Sequence, residues 1–306
     1  MAKCWKEYNK LAEEAKRKTK PLNDLSGSEW SQLSQSVNIY DGSIAKKRKS
    51  HGASYPITLA KHIIRIYTAR GDTVLDPFVG VGTTADAAEL LGRNGIGFEI
   101  NEKFVKLAKS GVENVDRSNE GSMEKVSIQI IQDSCLNLQK YVADDSIDLI
   151  LTSPPYCNLL NKTLGEFTGS VYYKNIYSGR KLAEPYGKDE RDLGNMNLAD
   201  YSNKVRKLME ELYSVAKQGS YNVWVVRDYR DMEEHSPYVN LHGKIIDLAA
   251  QAHWILHDIV IWDQTRQRHL VKLGGKICRR FYFNIGHSFL LVFRKNIDGE
   301  LFYNGP

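Results

Sequence analysis

Short apolar segments alternate with segments of helical periodicity through most of this 306-residue chain. The apolar segments have the length of strands and lie at residues 73–75, 95–100, 126–131, 147–151, 221–226, 255–262 and 288–294. Apolar side chains recur at helical spacing at residues 57–69, 82–91, 102–115, 136–142, 199–217 and 241–252. Such alternation predicts an α/β fold, in which helices cover both faces of a mostly parallel sheet. Because no helical pattern separates the last two strands, we expect them to pair antiparallel.

Composition argues against several classes of protein. No apolar run approaches the ~18 residues of a membrane span, and the first ten residues lack the apolar stretch of a secretion signal. The four cysteines lie far apart without a C-x-x-C pair, which argues against a structural zinc site and against a disulfide framework. We therefore expect a cytoplasmic protein with no membrane segment and no metal.

Basic residues are concentrated in three parts of the chain, although the net charge is only +5. They are residues 1–20, the run Lys46-Lys47-Arg48-Lys49, and the acid-free segment 264–280. Each part taken alone is as typical of a solvated surface or a flexible tail as of a binding surface. The run at 46–49 is also compatible with a nuclear import signal. Three such parts around a neutral to acidic middle indicate a surface that meets phosphates.

A glycine-containing loop follows the first strand, from Asp76 to Thr84. Gly80 and Gly82 permit a tight turn and a close approach of backbone to a ligand. The third glycine of a dinucleotide fingerprint is missing, since Thr83-Thr84 follows Gly82 instead, which favours a nucleoside ligand without a pyrophosphate. Glu99 follows Gly80 by nineteen residues, the spacing at which an acid accepts hydrogen bonds from ribose hydroxyls. Ordinary strand-end turns with solvated acids are the alternative.

A second candidate site is the tetrapeptide Ser153-Pro154-Pro155-Tyr156, directly after a predicted strand. Its prolines stiffen the backbone and remove two donors. The Ser153 side chain and the Pro154 carbonyl can then accept hydrogen bonds from an amino group, and Tyr156 offers a face on which a base stacks. A proline-rich strand exit with a packed tyrosine is the alternative.

The motifs DPFVGVGTT, GFEIN and TSPPY together resemble those of the DNA amino-methyltransferases, which use S-adenosylmethionine to methylate an exocyclic nitrogen of cytosine or adenine. The resemblance covers nearly the whole chain. It implies a Rossmann-like, seven-stranded mixed sheet with an antiparallel last strand, helices on both faces and inserted DNA-recognition loops. It also implies catalytic roles for Ser153, Pro154, Pro155 and Tyr156. The positions implied to bind the cofactor are Tyr55, Pro56, Asp76, Pro77, Phe78, Gly80, Gly82, Thr83, Thr84, Glu99, Ile100, Asp133 and Ser134.

Each part of this cofactor site has a role in the family that the chain resembles. The segment around Tyr55 and the glycine loop hold the methionine part, the acid matching Glu99 holds the ribose, and the acid matching Asp133 reaches the adenine. The cofactor loop precedes the tetrapeptide in this chain, whereas many members have the reverse order. The family contains several permuted classes, so this order leaves the boundaries of the recognition regions open.

The first residue of the tetrapeptide bears on the choice of target base. S-P-P-Y is commoner among cytosine-N4 enzymes of this family and D-P-P-Y among adenine-N6 enzymes. Ser153 therefore favours cytosine N4, with adenine N6 as the alternative and RNA, a protein amide or non-catalytic nucleic-acid binding as more distant ones. We expect double-stranded DNA as the partner, a restriction-modification context with a cognate restriction endonuclease as a candidate partner, and a bacterial or phage origin.

The domain organisation expected is a basic N-terminal segment at 1–50, packed on or extending a catalytic domain at 51–306. Recognition insertions are expected at about 157–198 and at 264–287, with Gly274-Gly275 as a tip that could enter a groove. A basic hairpin without a reading role is the alternative. The candidate DNA-binding residues are Lys46, Lys47, Arg48, Lys49, Arg266, Arg268, Lys272, Lys276, Arg279 and Arg280.

Overall fold

The computed structural model describes residues 21–40, 55–111, 126–155, 191–229, 238–266, 274–275, 280–281 and 283–297. Its main sheet has eight strands: β1 (Val37–Asn38), β2 (Thr73–Asp76), β3 (Asn94–Glu99), β4 (Ile128–Gln132), β5 (Ile147–Thr152), β6 (Ala216–Val226), β7 (Ile255–Asp263) and β10 (His287–Arg294). Two further strands, β8 (Gly274–Gly275) and β9 (Arg280–Phe281), form a separate ribbon. All seven strands expected from the sequence are present.

The strands of the main sheet follow the order β1-β7-β10-β6-β5-β2-β3-β4. Within this sheet β10 alone runs antiparallel to its neighbours β6 and β7, which confirms the expected antiparallel pairing of the last two strands. The sheet has one strand more than the seven expected. That strand, β1, pairs parallel with β7 through Val37 opposite Ile261, and its two residues are too few to show a period-2 pattern.

The helices are α1 (Gly27–Leu33), α2 (Ile57–Tyr67), α3 (Thr83–Leu90), α4 (Glu102–Lys109), α5 (Leu198–Val215) and α6 (Leu241–Gln251). The segment expected as a helix at 136–142 is a 3₁₀ helix, Cys135–Lys140, and a second 3₁₀ helix spans Leu193–Asn195. Strand β6 starts at Ala216, directly after α5. It therefore begins five residues before the predicted strand at 221–226.

Helices cover both faces of the sheet, as the alternation predicted. On one face, α5 and α6 bury a core that includes Tyr201, Trp224 and Phe293. On the other face, α2 and α3 pack against the sheet, with Leu59 of α2 and Leu290 of β10 in the core that they bury. Burying apolar side chains of this size contributes about 1.5–3 kcal/mol each, so the sheet is held from both sides and its strand ends are fixed in position.

Residues 21–40 pack against the rest of the domain through α1 and β1. The Arg65 guanidinium lies 2.6 Å from a Glu29 carboxylate oxygen, and the Tyr40 hydroxyl lies 2.6 Å from His62 Nδ1. Residues 1–20 and 41–50 lie outside the described residues, so the division into an N-terminal segment and a catalytic domain remains a prediction.

The expected tip at Gly274-Gly275 is wrong. Gly275 pairs antiparallel with Arg280 and Gly274 with Phe281, so both glycines belong to a strand. Glycines at a hairpin tip and glycines in a short strand look alike in sequence.

In the described part of the chain no helix is long and apolar enough to cross a membrane.

Candidate functional site

The carboxyl ends of β2, β3, β4, β5 and β6 meet at one edge of the sheet, because these five strands run parallel. The chain passes from β2 outward through β3 to β4, whereas β5 and β6 lie on the other side of β2. The strand order therefore reverses between β2 and β5. Ligands of open α/β sheets bind in the crevice at such a reversal, and the loop at 76–84 and the tetrapeptide at 153–156 both begin there.

The buried carboxylate of Asp76 joins the segments that border this crevice. Its Oδ1 accepts hydrogen bonds from Thr152 Oγ1 at 2.6 Å and from the Phe78 backbone N–H at 3.0 Å. The Thr84 hydroxyl donates to Oδ2. The Tyr55 hydroxyl lies 2.5 Å from Thr84 Oγ1 and 3.4 Å from Asp76 Oδ2. One side chain therefore connects the segment before α2, the glycine loop, α3 and the end of β5.

Burial raises the pKa of Asp76 to about 6, and the hydrogen bonds from Thr152, Thr84, Phe78 and Tyr55 oppose that rise. Since the pKa in the folded state is above the ordinary value of 3.8, the folded protein binds this proton more tightly than the unfolded chain does. The resulting contribution to stability is complete below the unfolded pKa and is lost as the pH rises through about 6.

The glycine loop lies close to both β3 and α4. Gly80 and Gly82 have φ angles of 53° and 92°, which are left-handed conformations that favour glycine. A Cβ at Gly82 would lie 3.1 Å from the Ala108 Cα. The Val79 N–H donates to the Phe98 carbonyl at 3.0 Å. The loop therefore turns tightly, with its backbone at the carboxyl edge and its start anchored to the neighbouring strand.

The other residues expected around this loop lie at the same edge. Tyr55, Pro56, Pro77, Thr83 and Thr84 are buried, whereas Phe78 is partly exposed. The Phe78 ring meets the Trp224 ring edge-on, with centroids 6.3 Å apart. Since Trp224 lies in β6, the glycine loop packs against a side chain from the strand beyond β5.

Glu99 ends β3, and its Oε1 accepts a hydrogen bond from the Asn101 backbone N–H at 2.8 Å. Burial raises the pKa of Glu99 to about 7, and the nearby Asp192 carboxylate adds to the rise. The backbone N–H groups of Asn101, Ile100 and Gly80 oppose it. Glu99 therefore lies beside the glycine loop, and its charge changes near neutral pH.

Asp133 follows β4 and is held by the 3₁₀ helix that starts two residues later. The Asn137 Nδ2 lies 3.0 and 3.1 Å from its two oxygens, the Tyr141 hydroxyl donates at 3.0 Å, and the Ser134 N–H donates at 2.7 Å. Burial would raise the pKa of Asp133, but these bonds and the Arg191 charge hold it below its usual range. Asp133 is therefore ionised at neutral pH, with its carboxylate fixed in orientation.

Asp192 was not singled out from the sequence. It is buried and caps the second 3₁₀ helix by accepting from the Gly194 N–H at 2.8 Å. Its neighbour Arg191 lies 3.6 Å from Asp133. The end of the segment 157–198, expected to close over a target base, therefore lies beside the acids of β3 and β4. No local pattern in the sequence indicates this contact.

The tetrapeptide begins one residue after Thr152, which is the residue of β5 bonded to Asp76. Ser153 is partly exposed and Pro154 and Pro155 are buried. Tyr156 lies outside the described residues. The hydrogen bond therefore links the first residue of the glycine loop to the residue directly before the tetrapeptide. Thr152 is a site residue that the TSPPY motif contained but that was not singled out from the sequence.

A cluster at the end of β6 was also missed. The fully buried Asp228 binds His242 and Tyr238, with Oδ2 2.7 Å from both His242 Nδ1 and the Tyr238 hydroxyl. The only sequence signal for it would have been an acid closing a strand, as at Glu99.

In the part of the chain that the structure describes, no group of three or more His, Cys, Asp or Glu side chains is arranged to hold a metal ion.

Most of the basic residues expected to bind DNA cannot be placed. Lys46, Lys47, Arg48, Lys49, Arg268, Lys272, Lys276 and Arg279 lie outside the described residues. Arg266 is exposed a few residues after β7, and the backbone of Arg280 forms part of β9. The DNA-binding surface therefore remains a prediction.

Comparison with known proteins gives a family match along most of the chain. A model of the N6/N4 DNA methylase family matches residues 3–110 and 147–302. The chain is 37% identical over 113 residues to the Type II methyltransferase M.BglI of Bacillus subtilis, covering 36% of this chain and 32% of that protein. It is 42% identical over 86 residues to the Type II methyltransferase M.MthZI of Methanothermobacter thermautotrophicus, covering 28% and 24%. These alignments span about a quarter to a third of each relative's length.

Replacing Thr152 by valine removes the hydroxyl that links β5 to Asp76 while keeping the shape of the side chain. Because the buried carboxylate loses a donor, we expect the free energy of unfolding to fall by about 1–3 kcal/mol in urea titrations. Thr73→Val is the matched control, since the Thr73 hydroxyl makes no hydrogen bond within the described residues. Equal stability of the two variants would contradict the role assigned to Thr152.

Replacing Gly82 by alanine places a Cβ at a left-handed position against α4. We expect a loss of about 1–2 kcal/mol from conformation alone, with more from the contact with Ala108, measured as a lower midpoint of thermal unfolding. Gly27→Ala is the control, because nothing lies within 4 Å of a Cβ there. The interpretation fails if Gly82→Ala unfolds at the wild-type temperature.

Proposed function

This chain belongs to the N6/N4 DNA methylase family, and on that premise we propose that it transfers a methyl group from S-adenosylmethionine to the N4 amino group of cytosine in double-stranded DNA. The observation that carries the proposal is the hydrogen bond of Thr152 to Asp76. We infer that this bond keeps the glycine loop close to the strand end from which the tetrapeptide starts at Ser153. A cofactor and an acceptor amine could meet there.

The crevice fits a cationic nucleoside cofactor. The left-handed turn at Gly80 and Gly82 would bring the backbone of the loop close to the ligand. Glu99 would accept hydrogen bonds from ribose hydroxyls, and the ionised Asp133, which follows the neighbouring strand β4, would bind the adenine. Both acids also favour a positively charged ligand. The cofactor would supply an electrophilic methyl group, so the tasks left to the protein are to position and tune the nucleophile.

The residues of the tetrapeptide can tune that nucleophile. The lone pair of an exocyclic amine is delocalised into the ring, so the free amine attacks poorly. Hydrogen bonds from its two N–H groups to the Ser153 side chain and the Pro154 carbonyl would turn the lone pair away from the ring. The nitrogen gains positive charge as the new bond forms, so both acceptors bind it more strongly in the transition state than in the ground state.

A base inside a duplex cannot reach this crevice, so the target nucleotide must leave the helix. Tyr156 would offer the surface on which the extruded base stacks. The basic segments at 46–49 and 264–280 would hold the phosphates around it, and their contribution would weaken with salt.

Cytosine N4 is proposed as the target because Ser153 opens the tetrapeptide. Adenine N6 is the alternative, since the same two acceptors would bind an amino group on either base. Some relatives carry the name Type II methyltransferase, and we extend the proposal to a restriction-modification role with a cognate endonuclease as partner. The chain spans only part of those relatives, so this partner is inferred by similarity alone.

The proposal is tested by incubating the protein with S-adenosylmethionine labelled in the methyl group and with unmethylated plasmid DNA or RNA. The nucleosides are then separated and identified by mass spectrometry. Labelled N4-methylcytosine supports the proposal, and labelled N6-methyladenine supports the alternative. Absence of label in DNA, with wild-type folding intact, contradicts both.

Ser153→Ala removes one acceptor at the amine. We expect the single-turnover rate of methyl transfer to fall about 10²-fold, while binding of S-adenosylhomocysteine stays at the wild-type level because Ser153 lies on the other side of the crevice. Ser127→Ala is the control, since Ser127 is exposed before β4, at the opposite edge of the sheet. A normal rate in Ser153→Ala would overturn the assigned role.

Glu99 should make cofactor binding depend on pH. Burial raises its pKa to about 7, and only the ionised form accepts hydrogen bonds from both ribose hydroxyls. Affinity for S-adenosylhomocysteine should therefore rise with pH through about 7, by up to about tenfold per pH unit, and level off above it. In Glu99→Gln, the affinity measured by calorimetry should keep only the pH dependence that comes from the ligand's own amino group. Identical pH profiles for the two proteins would exclude this role for Glu99.

A further inference from the structure

Asp228, Tyr238 and His242 form a hydrogen-bonded cluster beside the strand that carries the tetrapeptide. Strand β6 pairs with β5 through Trp224 opposite Thr152, and neighbouring strands lie about 4.8 Å apart. Asp228 follows the end of β6 by two residues. The cluster is therefore at the same edge as Ser153, on the side away from the glycine loop.

The hydrogen bonds of Asp228 determine which nitrogen of His242 carries the proton. Its Oδ1 accepts from the His242 backbone N–H at 3.0 Å, and its Oδ2 lies 2.7 Å from His242 Nδ1. An ionised carboxylate only accepts hydrogen bonds, so Nδ1 must donate. In the neutral ring the lone pair then lies on Nε2.

The ring is held firmly but is not enclosed. It stacks on Phe289 with centroids 4.0 Å apart and planes 20° from parallel, and 27% of the His242 side chain is exposed. Within the described residues no hydrogen bond reaches Nε2. The start of α6 does not need this ring as a cap, because Asn240 Oδ1 already accepts from the Gly243 N–H at 3.0 Å.

We propose that Nε2 of His242 accepts a proton from the target amino group as the methyl group is transferred. This inference rests on the proposed function, because it requires an amine as the methyl acceptor. In the step, an N–H bond of the cationic nitrogen breaks and an Nε2–H bond forms, while the electron pair stays on the amino nitrogen. No oxidant or reductant is needed, and the proton passes from the ring to water after the product leaves.

Asp228 is a positioning residue in this account. It fixes the orientation of the ring and stabilises the imidazolium that forms, as a buried carboxylate beside a catalytic histidine does. Tyr238 holds the same oxygen that contacts Nδ1. The His287 ring also meets the Phe289 ring edge-on, with centroids 4.9 Å apart, so both imidazoles pack against one phenyl ring.

The test compares His242→Ala with His257→Ala, whose ring lies in the first half of β7, away from the carboxyl edge. Wild-type protein must first label DNA; if it does not, the proposed function fails before His242 is examined. We expect His242→Ala to lower the single-turnover rate about 10²-fold, with unchanged S-adenosylhomocysteine binding. Imidazole in the buffer should restore much of that rate and leave His257→Ala unaffected.

An unchanged rate in His242→Ala overturns the inference, and so does a lowered rate that imidazole does not restore. Should His242→Ala fail to fold, ¹⁵N NMR of histidine-labelled wild-type protein decides, with the His242 signals assigned through the folded His242→Gln variant or through backbone connectivity. The neutral Nδ1–H form supports the inference. The Nε2–H form excludes Nε2 as a proton acceptor.

Discussion

The buried carboxylate of Asp76 is the interaction on which the arrangement of the site depends. Its two oxygens bind groups from the glycine loop, from α3 and from the end of β5. These segments come from distant parts of the chain, and the backbone hydrogen bond from Val79 to Phe98 ties the loop after β2 only to β3. A single acceptor therefore sets the spacing between the loop assigned to the cofactor and the tetrapeptide assigned to the target base.

This arrangement costs stability at neutral pH. Burial raises the pKa of both Asp76 and Glu99, so the folded protein becomes less stable as these groups ionise. Desolvating a carboxylate without a cationic partner is unfavourable, and the hydroxyl and amide donors around Asp76 offset only part of that cost. A bound cationic cofactor would offset more of it, which ties the stability of the fold to the ligand that the site is proposed to take.

The sequence predicted those parts of the structure that local pattern determines. The period of apolar residues located all seven longer strands, and the acids that end β2 and β3 or follow β4 marked the edge of the sheet. The cluster around Asp228 and the approach of Asp192 to Glu99 depend on contacts between segments far apart in the chain, which no period encodes. The paired glycines Gly274 and Gly275 were misplaced at a tip, because a turn and a short strand use the same residue type.

The most direct measurement is a crystal structure of the full chain with S-adenosylhomocysteine. The account predicts ribose hydroxyls on the Glu99 carboxylate and the sulfur in the crevice between β2 and β5, facing Ser153. The hydrogen bond from Thr152 to Asp76 should persist. A ligand bound away from that crevice, or a crevice that opens only when this bond breaks, would contradict the central claim.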